Sequence, residues 1–423
     1  MKLNAYPNNI KLKIGGTLKK TISFLFSVFL CYSQVYAGGF QLNEHGAKAM
    51  GMGGAFTAIA NDPTAIYWNG AGLTQLWGTN FILGGTMIAP ASSFRGISPQ
   101  ITEYNTKDQN FFPPHFFASH RISNDFAVGL GFTVPFGLGT KWNDDWVGKY
   151  LALNTQLMIF TISPVVAYQI TDGLSVSAAF VYSFANVEIT RKNSLAPFEG
   201  DAFIQLKGDD NAAFGYNLGL LYKPIETLSF GVSFHSQVKY DFKGTATSTT
   251  DISQLTSLLP NGDITANLTT PFNLAFGVAY DVLPELKFSA DFQYVGWSSY
   301  DTLIVDFKDP NTPDLASPRL YDDSYIIRLG SEIKLSKQFN VLAGIYFDKN
   351  PVKPEYLNPS LPDANRFGLS VGFDVKLADN FGISASYLHI IASQLTVDNS
   401  TDYFNGTYNS SANIGALSLS YGF

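Results

Sequence analysis

Cysteine is nearly absent: the 423 residues contain one, Cys31. It falls within an N-terminal stretch that reads as an export signal, so a mature chain starting at Gly38 holds no thiol. Disulfides, thiolate catalysis and Cys-ligated zinc are excluded together. Leu30 is too large for a lipoprotein cleavage site ahead of that cysteine. Charge is also scarce, at 14% of residues, too little for an ordinary soluble surface. Of 27 basic residues five lie in the leader, which leaves 22 against 34 acidic ones. No basic face exists to neutralise phosphates, and nucleic-acid binding is excluded. Beyond the leader no apolar run approaches the ~18 residues of a membrane-spanning helix. Catalytic settings are missing too: none of His45, His115, His120, His235 and His389 lies in an H-E-x-x-H run, and the G-x-S-x-G match at Gly368-Leu369-Ser370-Val371-Gly372 falls within an alternating segment, not at a strand-to-helix turn. The sequence calls for no cofactor, metal or catalytic residue.

Aromatics and glycine are abundant instead, with 35 Phe, 22 Tyr and 37 Gly. Residues 1–37 read as a signal peptide. Lys2, Lys11, Lys13, Lys19 and Lys20 precede the apolar run Ile22 to Cys31, and Val35-Tyr36-Ala37 supplies a cleavage site. From Trp77 to Phe423 the chain alternates with period two, as in Leu174-Ser175-Val176-Ser177-Ala178-Ala179-Phe180-Val181-Tyr182. Side chains i and i+2 share a face only in a strand. Fourteen such segments start near Trp77, Phe111, Asp125, Thr155, Gly173, Asn211, Thr227, Thr265, Glu285, Asp322, Lys337, Ala364, Asp379 and Thr407.

Short turns, such as Thr171-Asp172-Gly173 and Ala378-Asp379-Asn380, interleave with long polar connections, such as 192–210, 244–264 and 351–363. A soluble sandwich has no reason to sort its loops by parity, whereas strands crossing one bilayer in alternate directions do so. The expectation is all-β: a 14-stranded antiparallel transmembrane β-barrel in the outer membrane of a Gram-negative cell, multi-pass, with both termini on the periplasmic side. Its last strand ends on Phe423, the type of terminus that the barrel assembly machinery recognises.

Residues 38–76 do not alternate and form a candidate hatch within the lumen, since a barrel of this width needs a plug. Their glycines lack the G-x-G-x-x-G order of a phosphate cradle.

The start Gly39-Phe40-Gln41-Leu42-Asn43-Glu44 and the turn Asn69-Gly70-Ala71-Gly72-Leu73 resemble the plug of the FadL/TodX family of outer-membrane transporters for long-chain fatty acids and hydrophobic compounds. Ser236-Gln237-Val238-Lys239-Tyr240-Asp241-Phe242-Lys243-Gly244, Phe347-Asp348-Lys349-Asn350-Pro351-Val352 and Pro362-Asp363-Ala364-Asn365-Arg366-Phe367-Gly368 are similar to further stretches of it. The resemblance implies a monomeric barrel embedded in outer-membrane lipid. Hydrophobic ligands would be taken up passively, past plug residues such as Phe40, with plug rearrangement and exit through a lateral opening near the third strand.

That strand carries Pro135, Phe136 and Gly137. Proline there breaks strand pairing or simply ends the strand at the rim. The plug turn has Gly70 where the family usually has proline. Family members for fatty acids place basic residues where this chain, by alignment, has Phe184 and Asp322, so an uncharged hydrocarbon is as good a ligand as a fatty acid. Arg328 and Arg366 are the remaining carboxylate partners, unless each pairs with an acid. Leu255 and Leu258, with Ile252 and Leu259, have helical spacing in an outer loop and are candidates for initial capture. A non-specific diffusion pore and a lipid hydrolase are the rival readings.

Overall fold

Alternating segments of this kind pair into one wall. The computed structural model describes residues 38–310 and 312–423, so the expected signal peptide lies outside the described residues. The staves are β1 (Thr79–Gly96), β2 (Glu103–Asn105 and Pro114–Arg121), β3 (Phe126–Lys141), β4 (Asn154–Thr171), β5 (Leu174–Ser194), β6 (Asp201–Ile225) and β7 (Leu228–His235 and Lys239–Thr249). They continue with β8 (Gly262–Thr269 and Asn273–Leu283), β9 (Leu286–Val295 and Thr302–Phe307), β10 (Leu315–Pro318 and Ser324–Lys334), β11 (Phe339–Asp348), β12 (Arg366–Ala378), β13 (Phe381–Ala392 and Leu395–Val397) and β14 (Gly406–Gly422). Each pairs antiparallel with its neighbours, and β1 pairs with both β2 and β14. The sheet therefore closes as a fourteen-strand antiparallel barrel with no free edge over the membrane.

The wall is inverted relative to a soluble protein. Leu83, Phe180, Tyr216, Phe230, Phe276, Leu329, Val371 and Leu417 are exposed on the outside, while Ser and Thr such as Thr161, Ser183, Ser289 and Ser418 are buried within. Such an exterior is stable only in an apolar solvent.

Two stretches expected as loops are strand. β5 and β6 continue as a ladder to Ser194 and Asp201, and β6 pairs with β7 as far as Thr249. The ladder outlasts the lipid signal because Ala202, Ile204 and Leu206 still alternate, buried, with the less buried Asp201, Phe203, Gln205 and Lys207. The residues around 315–318, expected in a loop, also pair, with β9.

Residues 38–76 fill the bore. They hold α1 (Ala47–Gly51), α2 (Ala65–Trp68) and a 3-10 turn over Gly70–Gln75. Inward-facing glycines of the wall let this hatch come close: a Cβ at Gly344 would lie 2.2 Å from the Gly53 nitrogen. Gly53 and Gly54 themselves have φ of +66° and +74°, backbone that side chains rarely adopt. Asp291 of β9 accepts the Phe56 and Thr57 N–H groups at 3.0 and 2.9 Å, and Lys48 pairs with Glu332 of β10 at 3.4 Å. Among the described residues no helix is long and apolar enough to cross a membrane.

Candidate functional site

The site begins where the wall is incomplete. β2 pairs with β3 only from Ala127 to Phe132. Beyond that, β3 slips by a bulge against β4 between Thr133 and Phe136. Pro135 stands at the bulge, where it has no N–H to give a ladder. The freed edge is taken by the hatch. Leu42 N–H donates to the Pro135 carbonyl at 2.9 Å, Gly137 N–H donates to the Phe40 carbonyl at 3.0 Å, and Gln41 bridges Phe136. The break in pairing is thus inside β3, and Pro135 does not end the strand, which runs on to Lys141.

A cavity of about 290 Å³ adjoins the break, lined by Phe40, Leu42, Phe111, Phe112, Leu138 and Arg366 among others. Its lining takes Leu157 from the inner face of β4 and Met158 and Phe160 from the outer face. A second cavity of about 100 Å³ shares Phe40, Leu138, Leu157 and Leu361 with the first. Phe40 is the partition between them, with its ring set edge-on against Trp297, Tyr300 and Phe136 at centroid distances of 4.9, 5.7 and 5.9 Å. A third cavity, of about 180 Å³, continues outward from the second, sharing Ile189, Leu206, Leu303, Val305, Arg319 and Ser360.

The segment bearing Phe40 is held by an ionic clasp. Gly39 N–H donates to Asp363 at 2.6 Å, while Arg366 donates to the Gly39 carbonyl at 2.7 Å and to Asp363 at 3.0 Å. Burial lifts the Asp363 carboxyl above its ordinary range, against the opposing pull of Arg366 and the Gly39 amide. Arg366 thereby has the acidic partner that was its alternative fate. Asn69 caps the 3-10 turn through Ala71 N–H at 3.3 Å and donates to the carbonyls of Thr57 and Leu220, both at 2.9 Å. Gly70 abuts the wall, where a Cβ would meet Ser177 Oγ at 2.8 Å, and Ala71 is wholly buried. The His45 ring lies tilted against Tyr67, with centroids 4.0 Å apart, and burial, with His115 nearby, depresses its imidazole to about 3.

The other expected site residues are dispersed. Phe184 faces outward, not into the lumen: it stacks on Phe160 at 5.2 Å, and its luminal neighbours are Ser183 and Ala185. Arg328 is buried against the hatch beside Glu44 and Tyr346, 5.9 Å over the Trp68 ring, away from the larger cavities. Leu255 and Leu258 lie in a 3-10 turn, not an α-helix, because the stretch from Ser253 ends after six residues at Leu258. Leu258 is 78% exposed, and neither leucine lines the cavities described here. Sequence reasoning missed Leu138, Leu157, Leu361 and Trp297. The first two were legible only as inward members of an alternation. Among the described residues no His, Cys, Asp or Glu cluster is placed to hold a metal.

An outward-apolar barrel stoppered by its own N-terminal segment defines the class: a β-barrel transport protein of the outer membrane. The chain belongs to the family described as outer membrane protein transport protein (OMPP1/FadL/TodX), whose model it matches over residues 28–423. It is 27% identical to the long-chain fatty acid transport protein of Salmonella typhi, over 88% of this chain and 92% of that one. A crystal structure of a Pseudomonas aeruginosa FadL homologue superposes with a TM-score of 0.83 at 18% identity, covering 91% of this chain and 100% of that one. The toluene transporter TodX of P. putida gives 0.74 at 19% identity, covering 89% and 98%.

Proposed function

We propose that this outer-membrane transport protein carries hydrophobic molecules passively, through the three cavities and out sideways at the β2–β3 break. The supporting observation is the 290 Å³ cavity, whose lining includes both faces of the wall beside that break. A ligand taken into the outer cavities meets Phe40, displaces it with its hatch segment, and moves on. Each methylene it buries contributes ~0.8 kcal/mol, enough to hold an oily chain without any reacting group. The relatives named for long-chain fatty acids and for toluene bracket the ligand as a hydrophobic small molecule. The chain acts as a monomer, and its terminal Phe423 is offered to the assembly machinery during insertion.

A cross-link tests the exit. The side chain of Leu42 lies 3.0 Å from the position of a Cβ at Gly137, and a mature chain has no competing thiol. Oxidised Leu42→Cys/Gly137→Cys should lose uptake of a radiolabelled long-chain probe by cells, with recovery on reduction. Undiminished uptake in the oxidised form would show that this hatch segment need not leave β3.

The rival readings find little support. A diffusion pore needs an open bore, whereas Met52, Phe56 and Leu73 of the hatch are fully buried. His115 does meet a serine, Ser418, at 3.0 Å, but both are buried, no cavity described here includes either, and the Ser418 hydroxyl accepts the Ala47 N–H.

A further inference from the structure

We propose that Phe111 is a fixed gauge at the lateral exit, which limits cargo to molecules as slender as an unbranched chain or a single flat ring. This rests on the reading above that cargo leaves at the β2–β3 break, and it specifies which hydrophobic molecules do so.

The break has proline on both jambs. The β2–β3 ladder ends at the pair Phe116 and Phe132, and the same register carried onward sets Pro114 against Val134 and Pro113 against Pro135. At that last rung neither edge has an N–H to give. The gap is therefore not one that its own strands zip shut, and its width is set by side chains.

Two apolar side chains occupy the gap, each seated on a glycine of β3. Gly137 and Gly139 pair with Met158 and Gln156, which lie on the outer face of β4, so the side of each glycine that would bear a Cβ is turned outward. Leu42 packs there on Gly137, 3.0 Å from the Cβ position, and the tip of the Phe111 ring lies on Gly139, where a Cβ would collide with it. Glycine within a strand often marks the close approach of another group. Both glycines border the 290 Å³ cavity, and so does Phe111.

The two side chains differ in what holds them. Leu42 belongs to the hatch and departs with it. Phe111 belongs to the wall: it exchanges both backbone hydrogen bonds with Ile88 of β1, each at 2.9 Å, and the nearby Pro113 carbonyl accepts the Thr86 N–H at 3.1 Å. Ile88 packs within the barrel against Met50, Ile390 and Ile414, and Phe111, directly opposite it, shares that inward direction. The ring is thus aimed into the break from β2, while the adjacent Phe112 is exposed on the outside. Once the hatch segment has left, the space freed over Gly137 is as thick as the leucine that filled it, and Phe111 bounds it. A polymethylene chain or the edge of one ring passes through such a space. Methyl branches or fused rings have to drive Phe111 off Gly139 against its anchored backbone, and crowding of this kind is unfavourable.

The test measures uptake of two radiolabelled probes by cells that express the full chain, against the same cells without it. Hexadecanoate and 3,7,11,15-tetramethylhexadecanoate share a main chain and differ only in their methyl branches. The wild type should take up the linear probe on the order of tenfold faster than the branched one. Phe111→Ala should raise branched uptake several-fold and leave linear uptake nearly unchanged, a change of ratio that a merely structural role would not produce. Phe111→Leu should fall between, and Phe111→Trp should slow both probes. Heat-modifiable electrophoretic mobility reports whether each variant is a folded barrel. If Phe111→Ala does not fold, Phe111→Leu is read in its place, and if neither folds the wild-type ratio decides alone. Equal uptake of the two probes by the wild type, with the oxidised Leu42→Cys/Gly137→Cys chain blocked for both, would overturn the gauge and leave the exit standing. A preference that survives in folded Phe111→Ala would overturn the assignment to this residue. Linear uptake that persists in the oxidised chain, or uptake of neither probe above background, would overturn the exit and the gauge together.

Discussion

Asn69 ties the hatch both to itself and to the wall. Its amide donates to Thr57 within the hatch and to Leu220 on the wall, and its oxygen caps the 3-10 turn. Removing a buried partner strands two carbonyls, each costing ~1–3 kcal/mol. Asn69→Ala should therefore speed amide exchange across Ala55–Gln75 by at least tenfold while leaving the barrel strands protected, as hydrogen-exchange mass spectrometry would show. Asp363 is the second such residue. Asp363→Asn keeps the shape of the clasp but removes its charge, and should loosen Phe40 enough to raise uptake of a long-chain probe in the absence of saturating ligand. His45 supplies a pH dependence. Its imidazole titrates near 3 in the hatch and at about 6.5 in an unfolded segment. The folded hatch therefore binds fewer protons than the opened one. This stabilising contribution is complete above about 6.5 and falls by up to ~1.4 kcal/mol per unit as pH drops from there toward 3. Exchange in the hatch should accelerate over that window, and His45→Asn should reduce the acceleration.

At the scale of elements, β3 is the unusual member. Below the bulge it pairs on both sides, and above it the hatch residues Phe40–Leu42 stand in for β2. Backbone amides there should report ligand first: Gly137 N–H, which donates to Phe40, should lose protection when hexadecanoate is added, while Thr161 on β4 should not. Unchanged protection at Gly137 under saturating ligand would contradict displacement of the hatch strand. The bulge was half-legible, because a proline inside an alternating run announces lost pairing but not which segment takes the vacant edge. Phe184 shows the opposite case. It shares parity with exposed Phe180, so its outward direction could be read from alternation alone, although alignment of neighbouring motifs pointed to the lumen. The β5–β6 ladder escaped because beyond the bilayer no lipid marks where strand gives way to loop.

For the whole molecule, strand number and loop parity were legible because lipid imposes one rule on every crossing: apolar outside, short turns on one side, no free edge. The cavities were not, since they arise where Phe40, β3, β9, the first part of β10 and the loop before β12 converge, and no local pattern encodes that convergence. Arg191 and Arg319 are 128 positions apart by their numbers in the chain and share a cavity only because the barrel closes. Stoppering has a measurable counterpart. In planar bilayers the protein should show no steady large conductance, and deletion of residues 38–76 should produce one.

The three residues that complete the wall at β3 belong to the same short segment that carries the partition between the inner cavities. Bore and flank are therefore under one fastener: whatever pulls Phe40 aside also strips the rung from the gap in the staves. On the proposed route, a cargo that unlocks its own passage would find the side door already ajar, and both would close in a single stroke when the segment returns.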